Sequence, residues 1–117
     1  MDIRLKRAYT APAPGDGFRV LVDRLWPRGV AKEGARIDLW LKEIAPSTEL
    51  RKWFGHDPAR WAEFRRRYFQ ELDQSPEAVA TLVERARQGT LTLIYSAKDT
   101  EHNQARALAE YLKPRLR

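Results

Sequence analysis

The spacing of hydrophobic and polar residues along the chain predicts three strands. Residues 3–9 alternate apolar with mostly basic side chains, a period of two that is typical of an edge strand with one wet face. Residues 18–22 and 91–95 are nearly continuous apolar runs, as expected of strands that are covered on both faces. We therefore expect one edge strand and two buried strands, with residues 18–22 at the centre of the sheet.

Helix start signals occur between the two buried strands. Ser47 can cap a short helix that stops at Gly55. Residues 57–58 and 75–76 each pair an N-cap residue with a proline at the first helical position, and apolar residues at helical spacing follow both pairs. Three helices are therefore predicted in this part of the chain.

Other segments are less regular. Residues 26–35 contain two glycines and a proline and are predicted to be irregular, whereas residues 37–44 are apolar but fit either class of element. A last helix is predicted to begin near residue 100, capped by Asp99 or Thr100, and to end at Pro114.

This order of elements predicts the fold class. A strand, several helices, a strand and a helix make a βαβ unit, whose right-handed crossover sets the two buried strands parallel. We expect residues 1–117 to form a single small layered α/β domain, with a mostly parallel sheet flanked by helices. Ligands of such sheets gather at the carboxyl ends of the strands, so residues 23–29 and 96–99 should face one crevice.

The composition narrows the chemistry. The chain has no cysteine, which excludes disulfides and thiolate chemistry, and its two histidines lack the spacing of a metal site. No apolar run approaches the length of a membrane span, so a cytoplasmic protein is expected. The formal net charge of +6 favours anionic partners, although the basic residues are spread along the whole chain.

The exit of the first buried strand carries the first candidate residues. Asp23 and Arg24 fit two interpretations equally, a structural ion pair or a ligand clamp. Trp26 and Arg28 follow in a glycine-bearing loop, where an arginine beside an aromatic ring suits recognition of carboxylate or phosphate. In the alternative interpretation, Trp26 fills the core and Arg28 covers it.

Further candidates lie beyond the second buried strand and between two helices. Lys98 follows that strand directly, and His102 is placed in the first turn of the last helix, where a neutral imidazole could act as a base. His56 is next to an acid that could orient it for proton transfer. A structural role, as a hydrogen-bonding or capping residue, is the alternative for both histidines.

The chain resembles the YeaO-like family of bacterial proteins of unknown function. The resemblance rests on residues 22–29, on Trp40, Lys42 and residues 45–47, on residues 50–57, and on residues 93–99 with 102–103. It implies that the charged and aromatic motif residues form a site. The implied members are Asp23, Arg24, Trp26, Arg28, Lys42, Ser47, Arg51, Trp53, His56, Lys98, His102 and Asn103. The family usually continues His-Asn-His where this chain has His102-Asn103-Gln104.

These observations lead to three hypotheses about function. In the first, a small anionic ligand such as phosphate or a carboxylate is bound by Arg24, Trp26, Arg28, Lys42, Arg51, Lys98 and Asn103, and His56, His102 and Asp23 could carry catalysis. The second is a nucleic-acid-binding module. The even spread of basic residues along the chain argues against it. The third is a non-catalytic interaction protein. The sequence indicates neither a cofactor nor an oligomeric state.

Overall fold

A computed structural model describes residues 2–117 and has a four-stranded, all-parallel sheet. The strands are β1 (Asp2–Arg7), β2 (Phe18–Leu21), β3 (Leu39–Trp40) and β4 (Thr90–Tyr95), in the spatial order β1-β4-β2-β3. The predictions of a parallel α/β fold, an edge strand at the beginning of the chain and a central β2 are confirmed. The strand β3 was not assigned from the sequence.

The helices are α1 (Lys32–Ala35), α2 (Thr48–Phe54), α3 (Trp61–Asp73), α4 (Pro76–Gln88) and α5 (Gln104–Leu112). Ser47 caps α2 through its hydroxyl, which accepts from the Leu50 amide, and Gly55 ends that helix in the left-handed region. The predicted start of the last helix was wrong. The helix begins at Gln104, because the side chain of Asn103 accepts a hydrogen bond from the Arg106 amide and thereby serves as the N-cap.

The main core lies on one face of the sheet. Alternate residues of the two central strands, Val20 and Val22 with Leu91, Leu93 and Tyr95, pack there against the buried faces of α3, α4 and α5. Phe64, Leu108 and Leu112 of these helices are buried, and Trp61 and Val83 are partly exposed and pack against the same cluster.

The opposite face of the sheet is crossed by the connection between β1 and β2. Because β4 separates these two strands, residues 8–17 must pass over β4, and the Thr92 hydroxyl donates to the Asp16 carbonyl oxygen at 2.6 Å. Gly17 makes this close approach possible, since a Cβ there would come within 2.3 Å of the Thr90 carbonyl oxygen. Arg19, on the same face, donates to the Ala35 carbonyl oxygen and so places α1 on this side.

A buried ion network fixes the amino edge of the sheet, where β2 and β4 begin. One carboxylate oxygen of Asp16 accepts from the Arg19 guanidinium at 2.5 Å, from the Lys6 ammonium at 3.0 Å and from the Ala13 amide at 3.0 Å. Burial by itself would raise the pKa of Asp16, but these donors outweigh it and the pKa is lowered.

Within residues 2–117, no helix is both long and apolar enough to cross a membrane.

Candidate functional site

The candidate site lies at the carboxyl edge, between the exits of β2 and β4. The chain leaves β2 toward the face that carries α1 and leaves β4 toward the face that carries α5. Such a change of side opens a crevice between neighbouring parallel strands, and ligands of open α/β sheets bind there. The sequence-based expectation that residues after β2 and β4 meet at one edge is fulfilled by a direct contact between Asp23 and Ser96.

Asp23 joins the two strand exits. Its Oδ2 accepts from the Ser96 amide at 2.9 Å and from the Ser96 hydroxyl at 2.6 Å, and its Oδ1 accepts from the Gln104 side-chain amide. The side chain makes no ion pair with Arg24 among the described residues, so the structural ion pair, one of the two interpretations of these neighbours, is not observed.

Burial disfavours the charged form of the Asp23 carboxyl group. Burial raises its pKa, and the hydrogen bonds from Ser96 and Gln104 and the nearby positive charge of Arg51 only partly offset that effect. All three hydrogen-bond donors come from neutral groups. The crevice therefore contains a carboxylate that is held in place without a cation in direct contact.

Arg24 and Arg51 bring positive charge to the same side of the crevice. The Arg24 guanidinium approaches the carbonyl oxygens of Ala45 and Pro46 at 3.4 Å, just before α2. Its Nε–H is buried and has no hydrogen-bond partner among the described residues. Arg51 is exposed on α2, close enough to Asp23 to affect its pKa, and it makes no ion pair within residues 2–117.

The loop after β2 is tied down by its tryptophan. The Trp26 indole N–H donates to the Val30 carbonyl oxygen at 2.7 Å, and its ring meets Trp40 edge-on with centroids 5.4 Å apart. Trp40 in turn donates to the Asp23 carbonyl oxygen at 2.8 Å, and the Lys42 ammonium covers its ring at 4.1 Å. Trp26 and Lys42 thus line the approach to the crevice from the side of β3.

Arg28 lies at the far side of this loop. Its side chain is exposed and makes no polar contact within residues 2–117, while its carbonyl oxygen accepts from the Tyr9 hydroxyl at 3.0 Å. Tyr9 follows β1, so the loop reaches across the carboxyl edge toward that strand. The backbone of Arg28 is therefore anchored on the β1 side of the loop. Arg51, by contrast, belongs to α2, which follows β3.

The turn between β4 and α5 already contains an anion of the protein itself. Asp99 Oδ1 accepts from the amides of Glu101 and His102, and Oδ2 lies 3.0 Å from His102 Nδ1. These contacts hold the pKa of Asp99 below its usual range. His102 precedes the helix, contrary to its predicted place in the first turn, and its ring meets Trp61 edge-on at 5.4 Å. Lys98 is exposed in the same turn.

Three other predicted residues lie in α2 or next to its ends. His56 is exposed after the end of the helix, with a positive φ of 57° and its ring 6.4 Å from that of Phe54. The backbone amide and the hydroxyl of Ser47 donate hydrogen bonds to the two carboxylate oxygens of Glu71. Trp53 is covered by the guanidinium of Arg67 at 4.3 Å. Ser47 and Trp53 border a cavity of about 610 Å³ between α2 and α3, away from the crevice.

Sequence reasoning missed several residues of the edge. The Arg7 guanidinium, at the end of β1, donates to the carbonyl oxygens of Ala97 and Ser96 and so joins a third strand exit to the site. Arg106 on α5 and Arg7 both place positive charge near the Tyr95 hydroxyl. Arg7 could have been noticed as a basic residue in the first alternating segment. No sequence pattern indicated that Gln104 contacts Asp23.

The described residues contain no cluster of three or more side chains suited to a metal ion. A second cavity, of about 530 Å³, opens at the amino edge and is bordered by Arg19, Arg36 and Asp38. The donors of Arg19 are already used by Asp16 and by the carbonyl oxygens of Ala35 and Arg36. The Arg36 side chain at this cavity is exposed and makes no ion pair among the described residues.

Comparison with known proteins identifies the family. The family model described as "Inactive DUF488-N3 subclade" matches residues 2–117. The chain is 47% identical over 113 residues to "Uncharacterized protein YeaO" of Escherichia coli, which covers 97% of this chain and 98% of that protein. An uncharacterized protein of Mycobacterium tuberculosis is 40% identical over 113 residues, covering 97% of this chain and 95% of the relative. No solved structure matches the chain. The protein therefore belongs to the YeaO-like bacterial family, within the subclade that this model describes.

Proposed function

We propose that this protein binds a small ligand through an oxyanion, such as a phosphate or a carboxylate, at the carboxyl edge of its sheet. Arg24, Arg51 and Lys98 are the proposed donors at the crevice, with Arg28 and Lys42 at its entrance. Asn103 supports the site indirectly, because its side chain caps α5 and donates to the Asp99 carbonyl oxygen.

The carrying observation is that Asp23 is buried at the joined strand exits with no cation in contact, while positive charge lies near it. Arg24 and Lys98 follow the two strand exits, Arg51 is close enough to affect the pKa of Asp23, and none of the three makes an ion pair within residues 2–117. Other exposed cations, such as Arg36, also lack an ion pair among the described residues, so the position at the carboxyl edge carries the argument. The Nε–H of Arg24 is buried and has no partner among the described residues, but a second arginine, on α3, shares this feature, so it does not by itself mark the site.

Binding without catalysis fits the same residues better than an enzymatic role. Asp23 is held by three donors, and His102 is held between Asp99 and Trp61, so each has a structural task. The amides before α5, which the sequence suggested as an oxyanion site, are occupied by Asp99. The family description also contains the word "inactive". Catalytic roles for Asp23, His56 and His102 stay predictions.

The test compares two neighbours on α2. Arg51 and Lys52 are both exposed and unpaired within residues 2–117, but successive helical residues point about 100° apart, so only Arg51 is expected to face Asp23. We expect phosphate to raise the melting temperature of the wild type above its value in chloride of equal ionic strength. A concentration of ten times Kd corresponds to about 1.4 kcal/mol of stabilisation.

Arg51→Ala should lose most of this phosphate-specific increase, and Lys52→Ala should retain it. Arg51→Lys should recover only part, because an ammonium group lacks the planar pair of donors of a guanidinium. Equal responses of the two alanine variants would contradict the assignment of Arg51. If phosphate and chloride act alike on the wild type, the oxyanion site itself is wrong.

A further inference from the structure

The hydrogen bonds of the Asp23 carboxylate leave one acceptor position open. An ionised carboxylate has about four lone-pair positions that can accept hydrogen bonds. Oδ2 accepts from the amide and the hydroxyl of Ser96, and Oδ1 accepts from the Gln104 side-chain amide. No other donor within residues 2–117 forms a hydrogen bond to this carboxylate. One position, on Oδ1, is therefore unfilled.

Asp23 is fixed in place by its backbone as well as by its side chain. Its carbonyl oxygen accepts from the indole N–H of Trp40 in β3 at 2.8 Å, and the amide of the preceding residue, Val22, donates to the Ile94 carbonyl oxygen at 3.0 Å. The side chain is tied to the exit of β4 and to the first residue of α5. A ligand in the crevice thus meets a carboxylate that cannot easily turn away.

The negative charge of Asp23 limits which ligands the proposed site accepts. Arg51 lies close enough to Asp23 for its positive charge to act on the carboxyl group, so an oxyanion bound by Arg51 also comes near Asp23. Two ionised oxygens in contact without a hydrogen between them repel each other, and the repulsion is strong where water is largely excluded. An oxyanion that carries its own O–H group avoids this repulsion, because it can donate to the open position on Oδ1.

We propose that the ligand of the carboxyl edge is an oxyanion that carries a hydroxyl hydrogen, with hydrogen phosphate as the simplest example, and that this O–H group donates to Oδ1 of Asp23. The inference rests on the proposed function and narrows its ligand class. Arg51 and Asp23 have different tasks in this recognition. The guanidinium binds the charged oxygens of the ligand, and the carboxylate repels an oxyanion that lacks the hydrogen.

The test compares phosphate with sulfate at pH 8. At this pH both are mainly tetrahedral dianions of similar size, but phosphate keeps one hydrogen and sulfate has none. Titrations at constant ionic strength, followed by the backbone amide signals of Arg51 and Ser96, give a Kd for each anion. Binding is measured directly because sulfate also stabilises proteins by its exclusion from their surface. We expect phosphate to bind the wild type at least tenfold more tightly than sulfate.

Asp23→Asn should remove most of this preference. The asparagine keeps an oxygen for the Ser96 donors and presents an NH₂ group, which donates to either anion. The Kd of sulfate should therefore decrease, and the two Kd values should agree within about threefold. Glu49→Gln is the matched control, because it also removes one negative charge, but Glu49 is exposed on α2 and borders the cavity between α2 and α3. This variant should keep the tenfold preference.

The outcomes separate this inference from the proposed function. Equal binding of phosphate and sulfate by the wild type would overturn the inference and leave the oxyanion site intact. A preference for phosphate that persists in a folded Asp23→Asn variant would overturn it too. If neither anion causes saturable shifts, the oxyanion site itself is wrong and the inference falls with it. The comparison of the two anions on the wild type needs no variant, so it does not depend on how Asp23→Asn folds.

Discussion

Two buried aspartates at opposite edges of the sheet differ in what compensates their charge. Asp16 at the start of β2 is 6% exposed and Asp23 at the carboxyl edge is 9% exposed, so both side chains are largely shielded from solvent. Asp16 contacts the guanidinium of Arg19 and the ammonium of Lys6, and its pKa is lowered. Asp23 contacts only neutral donors, and its pKa is raised.

The proposed ligand site accounts for this difference. Lys6 and Arg19 both contact Asp16, and this network holds the segment that crosses the sheet. At the carboxyl edge, Arg24, Arg51 and Lys98 lack such partners among the described residues while an aspartate is buried close by. Exposed cations without ion pairs are ordinary on protein surfaces, so the distinctive feature here is the buried aspartate without a cationic contact.

The largest effect is expected for Asp16→Asn. The substitution leaves the buried guanidinium of Arg19 without its counter-charge, and breaking a buried ion pair in this way costs about 3 kcal/mol. Urea denaturation at pH 7 should show this loss. Asp2→Asn, which breaks an exposed pair with Arg4, serves as the control and should change stability little. A loss of stability below about 1 kcal/mol for Asp16→Asn would contradict the claim that this network stabilises the fold.

A smaller effect is expected for Asp23→Asn. The raised pKa means that the folded protein binds a proton at Asp23 more readily than the unfolded chain, whose value is near 3.8. Stability therefore falls as the pH rises from about 3.8 through the folded pKa, and the penalty is complete above it. An asparagine carries no such penalty and still accepts from Ser96.

Asp23→Asn should consequently be no more than about 1 kcal/mol less stable than the wild type at pH 7, the size of one net hydrogen bond. Its stability relative to the wild type should decrease as the pH approaches 3.8. The opposite dependence applies to Asp16, whose lowered pKa gives stability that is lost as the pH falls through its folded value. Unfolding curves that extend from pH 8 to well below pH 3.8 measure both trends, and a loss for Asp23→Asn at pH 7 as large as that for Asp16→Asn would contradict the comparison.

The smallest effect is expected for Gln104→His, which restores the family's usual residue beside Asp23. The introduced imidazole would contact the buried carboxylate in place of the glutamine amide. Its pKa should therefore lie above the ordinary value of about 6.5, with little change in stability at pH 7. NMR titration of the imidazole protons measures this pKa. A pKa at the ordinary value would mean that residue 104 does not contact Asp23.

Much of the fold was predictable because it depends on local patterns. The apolar runs of β2 and β4, the Ser47 cap and the Asp57-Pro58 start signal each reflect a physical preference of nearby residues. The start of α5 was missed because Asp99, Thr100 and Asn103 are all capable caps, and tertiary contacts select Asn103. Strand β3 has only two residues, too few for a period to appear.

The site was less predictable because its contacts join distant parts of the chain. Asp23 and Gln104 are 81 residues apart, and Arg7 reaches Ala97 across 90 residues. Arg19 offered a signal that went unused, since an arginine inside an apolar strand needs a buried partner, and Asp16 is three residues away. A pattern identifies which residues are available, whereas the fold decides which of them meet.

The most direct test of the account is a phosphate titration followed by the backbone amide signals of the labelled protein. Binding at the carboxyl edge predicts that the largest shifts fall on Arg24, Arg51 and residues 96–98, with a single dissociation constant for all of them. The amides around Arg19 should stay unchanged, because the donors of Arg19 at the amino edge are already engaged. Shifts concentrated at the amino edge, or the absence of saturable shifts at both edges, would contradict the claim that the carboxyl edge binds an oxyanion.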